Sequence, residues 1–316
     1  MSVNHSVELV QIDNAQEGQR IDNFLMTRVK GVPRSHLYRV LRRGEVRVNK
    51  GRVKPSYRLR NGDLVRIPPL RYAPSAAPAY LVQDRLRDLL AAVLYEDEHL
   101  MALNKPSGIA VHGGSGLSWG LIEAMRSLRP ELSALELVHR LDRETSGCLL
   151  LSKRRGTLRE LHRLIREQAM TKRYLTLLAG RLERRQGVDA PLRKNLLRGG
   201  ERLVHIDPQA GKPARTLFRP RYRLGDFTLA EAEPLTGRTH QIRVHAAHLG
   251  APVAGDEKYG DPELNRRLRG VGLNRLFLHA SGLVLRPSYR DRPLYIEAPL
   301  PWELEALLGA IREKRI

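Results

Sequence analysis

HRLDRETSGCLLLSK, residues 139–153, sets a polar turn directly against an apolar run. Val138 and Leu141 are core-seeking, and Cys148 to Leu151 are unbroken apolar residues, so RLDRETSG is predicted to be a turn wedged between buried strands. Such a turn is a rigid platform for one exposed side chain. Asp142 is the candidate, crowded by Arg140, Arg143 and Glu144. On local sequence alone Asp142 also reads as a turn carboxylate that accepts backbone N–H bonds. Glu144, two residues on, offers either a second carboxylate or a solvated turn residue.

Outward from this turn, LMALNKPSG, YLTLLAG, TLAEAEP and PLYIEAP read as strands. TLRELHRLIREQA reads as an amphipathic helix with Leu158, Leu161, Leu164 and Ile165 inward and a capping box from Thr157 to Glu160. No regular alternation of strand and helix runs through the chain, so the expected class is α+β with a mostly antiparallel or mixed sheet.

Residues 68–79, PPLRYAPSAAPA, carry four prolines that neither helix nor sheet accommodates well. They predict a small domain over 1–71, a linker over 72–84 and a main domain over 85–316. In the small domain, Ile21, Phe24 and Leu25 share one helical face, and Ser35 is placed to cap a second helix carrying Leu37, Val40 and Leu41. The far face of that helix holds Arg39, Arg42 and Arg43. Val46 and Val48 alternate with polar residues, and an Asn61-Gly62 turn precedes Leu64, Val65 and Ile67. Two helices on a small sheet are expected.

Charge separates the two parts. Residues 1–71 hold 15 Lys and Arg against 6 Asp and Glu, a surplus of +9; the remaining chain holds 40 against 28, a surplus of +12 over more than three times the length. A fold does not require such an excess, and a polyanionic partner explains it. Arg34, Arg39, Arg42, Arg43, Arg47 and Lys50 are therefore candidate nucleic-acid contacts, and RNA contacts if the resemblance given below holds. With 55 Lys and Arg, 34 Asp and Glu and 41% hydrophobic residues, the whole chain of 316 residues is predicted to fold around a core and bind nucleic acid. It has one cysteine, Cys148, and no apolar run of transmembrane or signal-peptide length, so a cytoplasmic protein is expected.

Several chemistries find no support. HGGSG, residues 112–116, lacks the lysine and hydroxyl of a phosphate loop. His240, His245 and His248 lie close together without nearby carboxylates, which favours packing or phosphate contacts over a metal site. Neither Ser107 nor Ser146 stands in a nucleophile-elbow pattern. Aromatic residues make up 5%, thin for a platform stacking many bases but enough for one pocket holding one base.

Residues 18–68, through RIDNFL, SHLYRVLRRGEVRVN and NGDLVRI, resemble the S4 RNA-binding domain. HRLDRETSGCLLLSK resembles the signature of the RluA-type pseudouridine synthases. KRYLTLLAG is similar to their tyrosine-bearing strand, and TGRTHQIRVHAAHLG to their arginine-bearing motif. NKPSGIAVHGG before these blocks and APVAGDEKYG after them complete the family order over about residues 94–300. The resemblance implies an α+β pseudouridine synthase domain behind an S4 domain, isomerising specific uridines of 23S ribosomal RNA or its precursor. It implies no cofactor, no metal, no membrane and a monomer. It makes Asp142 the catalytic carboxylate, Tyr174 the aromatic that stacks on the uracil, and Arg243 the cation that keeps Asp142 charged. Spacing leaves Arg238 as a competitor for that last role. It also implies that Arg140 fills the gap left by the rotated uridine; Arg238 and His240 are further RNA-contact candidates. A transfer RNA substrate and a non-catalytic RNA-binding factor are the competing readings.

Overall fold

The computed structural model describes residues 6–14, 16–29, 32, 34–70, 84–113, 120–196 and 202–313. The chain divides into two compact units, the first ending at Gln83 and the second starting at Asp84. Most of the proline-rich linker and residues 114–116 of the glycine loop lie outside the described residues.

The first unit contains β1 (Glu8–Gln11), α1 (Ile21–Arg28), α2 (Arg34–Arg43), β2 (Arg47–Val48), β3 (Gly51–Arg52) and β4 (Leu64–Ile67). The strands form one antiparallel sheet in the order β1-β4-β2-β3. Ile21, Phe24 and Leu25 of α1 and Leu37, Val40 and Leu41 of α2 are buried against Val46, Val48, Val65 and Ile67, as helical spacing requires. Leu64 is the exception at 41% exposed, because alternation along β4 turns Val65 and Ile67 inward and Leu64 outward. Asp22 ties the helices together, accepting from Arg20 Nη2 at 2.7 Å and Tyr38 Oη at 3.0 Å. The α2 helix begins at Arg34, so Ser35 falls in its first turn instead of at the cap.

The second unit contains α3 (Asp84–Ala91), β5 (Val93–Glu96), β6 (Leu100–Lys105), α4 (Leu121–Leu128), β7 (Glu136–Leu137), β8 (Ser146–Ser152) and α5 (Arg155–Arg166). It continues through β9 (Met170–Ala179), β10 (Gln186–Asp189), β11 (Leu192–Leu196), β12 (Arg202–Ile206), β13 (Arg215–Leu224) and β14 (Phe227–Pro234). Then come α6 (Gln241–His248), α7 (Pro262–Gly270), β15 (Leu278–Leu285), β16 (Leu294–Glu297) and α8 (Trp302–Arg312). The main sheet has ten strands; its path runs β10-β13-β14-β9-β15-β8-β6-β5, with β16 beside β15 and β7 beside β8. Among the described residues only β15 with β8 is parallel, so the α+β class with a mixed, mostly antiparallel sheet holds.

Alternation along β9 shows how the sheet separates two cores. Tyr174 and Leu178 face the larger cluster with Leu103, Leu149 and Leu161, while Leu177 faces Phe277, Leu304 and Ile311. Strand β8 lies inside the sheet and is buried at all seven residues, which accounts for its unbroken apolar run. Burial pushes the Cys148 thiol up to about 12, leaving it protonated and inert. Helix α5 buries Leu161 and Leu164 as expected, but its capping box does not form. The helix starts at Arg155, Thr157 Oγ1 instead sits 3.3 Å from His99 Nδ1, and Glu160 accepts from the Ser288 amide.

Candidate active site

The segment His139–Thr145 joins β7 to β8 and is anchored at both ends. Val138 and Leu141 are 3% and 4% exposed, and the Thr145 amide donates to the Asp142 carbonyl at 3.2 Å. Between these anchors the Asp142 side chain keeps 22% exposure, so it faces the surface from a turn whose neighbours are buried. His139 accepts the Leu150 amide at Nε2, at 3.1 Å; burial, with Lys172 nearby, pushes its pKa down to about 3, so the ring is neutral. Arg140 is exposed. The Glu144 side chain is about half exposed and lies 3.7 Å from Arg143 Nε, so it is the solvated turn residue and not half of a carboxylate pair.

A second segment, Pro106–Ile109, is laced to this turn. Lys105, fully buried, donates from Nζ to the carbonyls of Pro106 and Ile109 at 2.8 Å each and of Arg143 at 3.1 Å. Ser107 Oγ donates to the Glu144 carbonyl at 2.8 Å, and the Gly108 amide to the Arg143 carbonyl at 2.9 Å. Three carbonyls take all three ammonium protons of Lys105, a role that nothing in its local sequence signals beyond its place in NKPSG. Burial pushes its pKa down to about 7. An unfolded lysine titrates near 10.4, so between about pH 7 and 10 the unfolded chain binds more protons and folded stability rises with pH. Denaturant titrations at pH 7 and 9.5 are expected to show wild type gaining stability relative to Lys105→Met; an unchanged difference contradicts this.

The end of the turn is held from below. Ser146 Oγ accepts from Arg275 Nη2 at 2.6 Å and lies 2.9 Å from His279 Nδ1. Burial pushes His279 down to about 4, so its neutral ring takes the hydroxyl proton of Ser146 at Nδ1 and donates from Nε2 to Ala298 O at 3.2 Å. Ser146 is thus a buried strut and not a nucleophile. Gly147 has φ 106°, and a Cβ there would lie 2.2 Å from the Ala280 carbonyl oxygen, where β8 and β15 pair in parallel. Gly147→Ala is therefore expected to cost at least about 2 kcal/mol, from strain and steric overlap together. Chemical denaturation measures it, and a loss within 0.5 kcal/mol, about what a neutral surface change gives, contradicts it.

Tyr174 stands on β9 beside Ala232 of β14 and is 9% exposed. Its pKa is raised, first by burial and then by the charge of Asp142. Arg243, on α6, is 6% exposed. The resemblance makes it the cation that keeps Asp142 charged; its hydrogen-bonded partner in the structure is another carboxylate. Arg243 Nε and Nη2 donate to Asp256 at 2.7 and 2.6 Å, a bidentate pair. Asp256 is 1% exposed, and its Oδ1 also takes the amides of Lys258 and Tyr259 at 2.9 and 3.1 Å. A buried guanidinium pairs with the carboxylate that is equally buried and already oriented, in preference to one partly in water. Burial opposes the charge on Arg243, but Asp256 first and Asp142 second hold its pKa above the ordinary value. Arg243 therefore reaches Asp142 through space. Arg238 is exposed and donates to the Pro213 carbonyl at 3.0 Å, so it does not compete for Asp142.

The imidazole nearest Asp142 belongs to His240, whose Nε2 lies 4.0 Å from Asp142 Oδ2. His240 caps α6 with φ 53°, an uncommon conformation for a non-glycine residue. Its Nδ1 is 2.8 Å from Tyr259 Oη, and burial lowers its pKa against the opposing charge of Asp142. His245 has both ring nitrogens engaged, with Thr216 Oγ1 at 2.9 Å and Ala190 O at 3.0 Å, and is a packing residue. The structure thus gathers Asp142, Tyr174, Arg243 and His240, and adds Lys105, Asp256 and Tyr259. Asp256 and Tyr259 lie in APVAGDEKYG, a block quoted for its order and not for these side chains. In the first unit Arg39, Arg42, Arg43, Arg47 and Lys50 are exposed, while the Arg34 side chain lies outside the described residues.

The chain matches the RNA pseudouridylate synthase family over residues 99–248, which include Asp142, Tyr174 and Arg243, and the S4 domain over 19–65. It is 52% identical over 316 residues to ribosomal large subunit pseudouridine synthase C of Escherichia coli, covering 98% of each chain. The chain belongs to the RNA pseudouridylate synthase family. The Yersinia pestis protein of the same name is 50% identical over 312 residues, covering 98% of this chain and 97% of the other. Among solved structures, human RNA pseudouridylate synthase domain containing 4 superposes with TM-score 0.59 at 24% identity, over 72% of this chain and 95% of that one. Human RNA pseudouridylate synthase domain containing 1 gives 0.53 at 25%, over 70% and 94%. These synthase structures share the fold over about 70% of the chain, and the family makes the chain an isomerase acting on RNA.

Proposed function

We propose that this synthase converts uridines of large-subunit ribosomal RNA, or its precursor, to pseudouridine, with Asp142 as the reacting carboxylate. The observation that carries the reading is a partly exposed aspartate on a turn pinned by Lys105, Ser107 and Ser146, with His240 Nε2 4.0 Å from its carboxylate and its charge felt by Tyr174 and Arg243. The reaction detaches uracil from its ribose, turns it and rejoins it through carbon 5. In this reading Asp142 acts as a carboxylate, and Tyr174, as the resemblance implies, stacks on the base brought to it. A base inside a helix must first leave its stack, and Arg140, exposed two residues before Asp142, is read as the side chain that occupies the vacated space.

The full-length similarity to large-subunit enzymes supports the substrate class. The exposed arginines of α2 suit phosphate contacts on structured RNA. The protein is read as a cytoplasmic monomer; among the described residues no helix is long and apolar enough to cross a membrane. Pseudouridine mapping of ribosomal and transfer RNA from cells with and without the gene tests the reading. Large-subunit sites are expected to disappear, and loss confined to transfer RNA contradicts it. Residues 1–71 are read as an RNA-docking domain, so their deletion is expected to weaken ribosomal RNA binding by about 10-fold or more at physiological salt, as loss of several phosphate contacts does. Filter binding measures this, and unchanged affinity and site choice would make the basic domain incidental.

A further inference from the structure

His240 is held between two groups that together decide which of its nitrogens carries the proton. The Val204 amide, on β12, donates to Tyr259 Oη at 3.0 Å. The hydroxyl keeps one proton to give, and among the described residues its one bonded acceptor is His240 Nδ1, at 2.8 Å. A neutral ring that accepts at Nδ1 carries its proton on Nε2, and Nε2 is the atom that faces Asp142 Oδ2 at 4.0 Å. The tyrosine is fixed in turn, because Asp256 Oδ1 accepts its amide and the Arg243 guanidinium lies 5.1 Å from its ring centroid. The left-handed backbone of His240 turns the ring into this place at the start of α6.

We propose that His240 and Tyr259 form a positioning pair for the reaction, Tyr259 selecting the tautomer that presents Nε2–H to Asp142 and so aims the carboxylate at the uridine. The inference rests on the reading of Asp142 as the reacting group. It reassigns His240 from a phosphate contact to a partner of the carboxylate. It also gives the Arg243–Asp256 pair a route to Asp142 through Tyr259 and His240. At 4.0 Å the contact is longer than a hydrogen bond, and a small rotation of the Asp142 side chain closes it, as catalytic contacts tighten when substrate binds. A neutral donor orients the carboxylate without the deeper stabilisation that a direct ion pair would give it, which suits a group that must react.

The test uses the full chain and transcribed 23S ribosomal RNA carrying carbon-5 tritium on its uridines. Single-turnover rate at saturating protein and RNA affinity are measured separately for each variant. Glutamine places an N–H near the position of Nε2, and alanine does not. His240→Ala is expected to slow the saturated step by about 10- to 100-fold, the kinetic equivalent of one hydrogen bond to a charged group, with affinity within about 2-fold. His240→Gln is expected to stay within about 3-fold of wild type, and Tyr259→Phe to lose about 10-fold. The double variant His240→Ala with Tyr259→Phe is expected to be no slower than His240→Ala, since groups acting in series are not additive.

Weakened affinity with an unchanged saturated rate would make His240 a phosphate contact and overturn the proposal. Glutamine as slow as alanine, or additive losses in the double variant, would reduce the pair to packing and overturn it equally. Asp142→Asn is run alongside. If it is inactive while His240→Ala is at wild-type rate, only the positioning pair fails; if it is fully active, the reading of Asp142 fails and takes the pair with it.

Discussion

Asp142→Asn is expected to lower pseudouridine formation by at least about 10,000-fold while leaving RNA affinity within about 2-fold. The amide has nearly the shape of the carboxylate but carries no negative charge, so it can neither attack nor accept a proton as the carboxylate does. The fold should not notice the change. The turn is held by the Asp142 carbonyl, which takes the Thr145 amide, and by Lys105 and Ser107 on the neighbouring carbonyls. Removing one negative charge from a surface that meets phosphates gives no reason for weaker binding. Single-turnover kinetics with a parallel binding assay measures both quantities. Retained activity would move the chemistry to another group; lost binding would make Asp142 a docking residue.

The second large effect is expected at Asp256, which direct participation in the chemistry would not predict. Asp256→Ala leaves the Arg243 guanidinium buried without its bidentate partner and frees the amides of Lys258 and Tyr259. Breaking a buried ion pair from one side costs about 3–5 kcal/mol, which for a unit of this size lowers the melting temperature by roughly 10 °C. Arg243→Met combined with Asp256→Leu removes both charges and is expected to recover part of that stability without recovering activity, because Tyr259 loses its anchor. Thermal melts of the three proteins check the order. If Asp256→Ala melts with wild type, the pair contributes little and Arg243 is free to serve Asp142 directly.

The polar turn was legible because its flanks are unambiguous: Val138, Leu141 and the Cys148–Leu151 run are buried as their apolar side chains require, and the charged Arg140, Asp142, Arg143 and Glu144 keep exposure; that Thr145, Ser146 and Gly147 are buried as well, the last two already in β8, was not legible. The faces of α1 and α2 were legible for the same reason, since three- and four-residue spacing marks a buried stripe without help from the rest of the chain. The helix starts were not. Ser35 and Thr157 have good cap chemistry, yet α2 and α5 begin elsewhere, and Thr157 meets His99 in a contact 58 residues distant.

Partner choice was the larger gap. Arg243 was assigned to Asp142 by resemblance, but a guanidinium takes the carboxylate that shares its burial, and no pattern in one sequence shows that Asp256 is 1% exposed and fixed by two amides. Lys105 reads as one more cation in a chain rich in them until its three carbonyl partners are seen. Side chains that do chemistry carried a signal in their motifs, whereas those that hold them in place had to be found in space.

The most direct test of the account is tritium release from 23S ribosomal RNA labelled at carbon 5 of uridine, with purified wild type and Asp142→Asn compared on the same preparation. Isomerisation breaks that carbon–hydrogen bond at every converted uridine. Wild type is expected to release tritium to a fixed number of sites and the variant none. No release by wild type, or release by Asp142→Asn at a comparable rate, would contradict it.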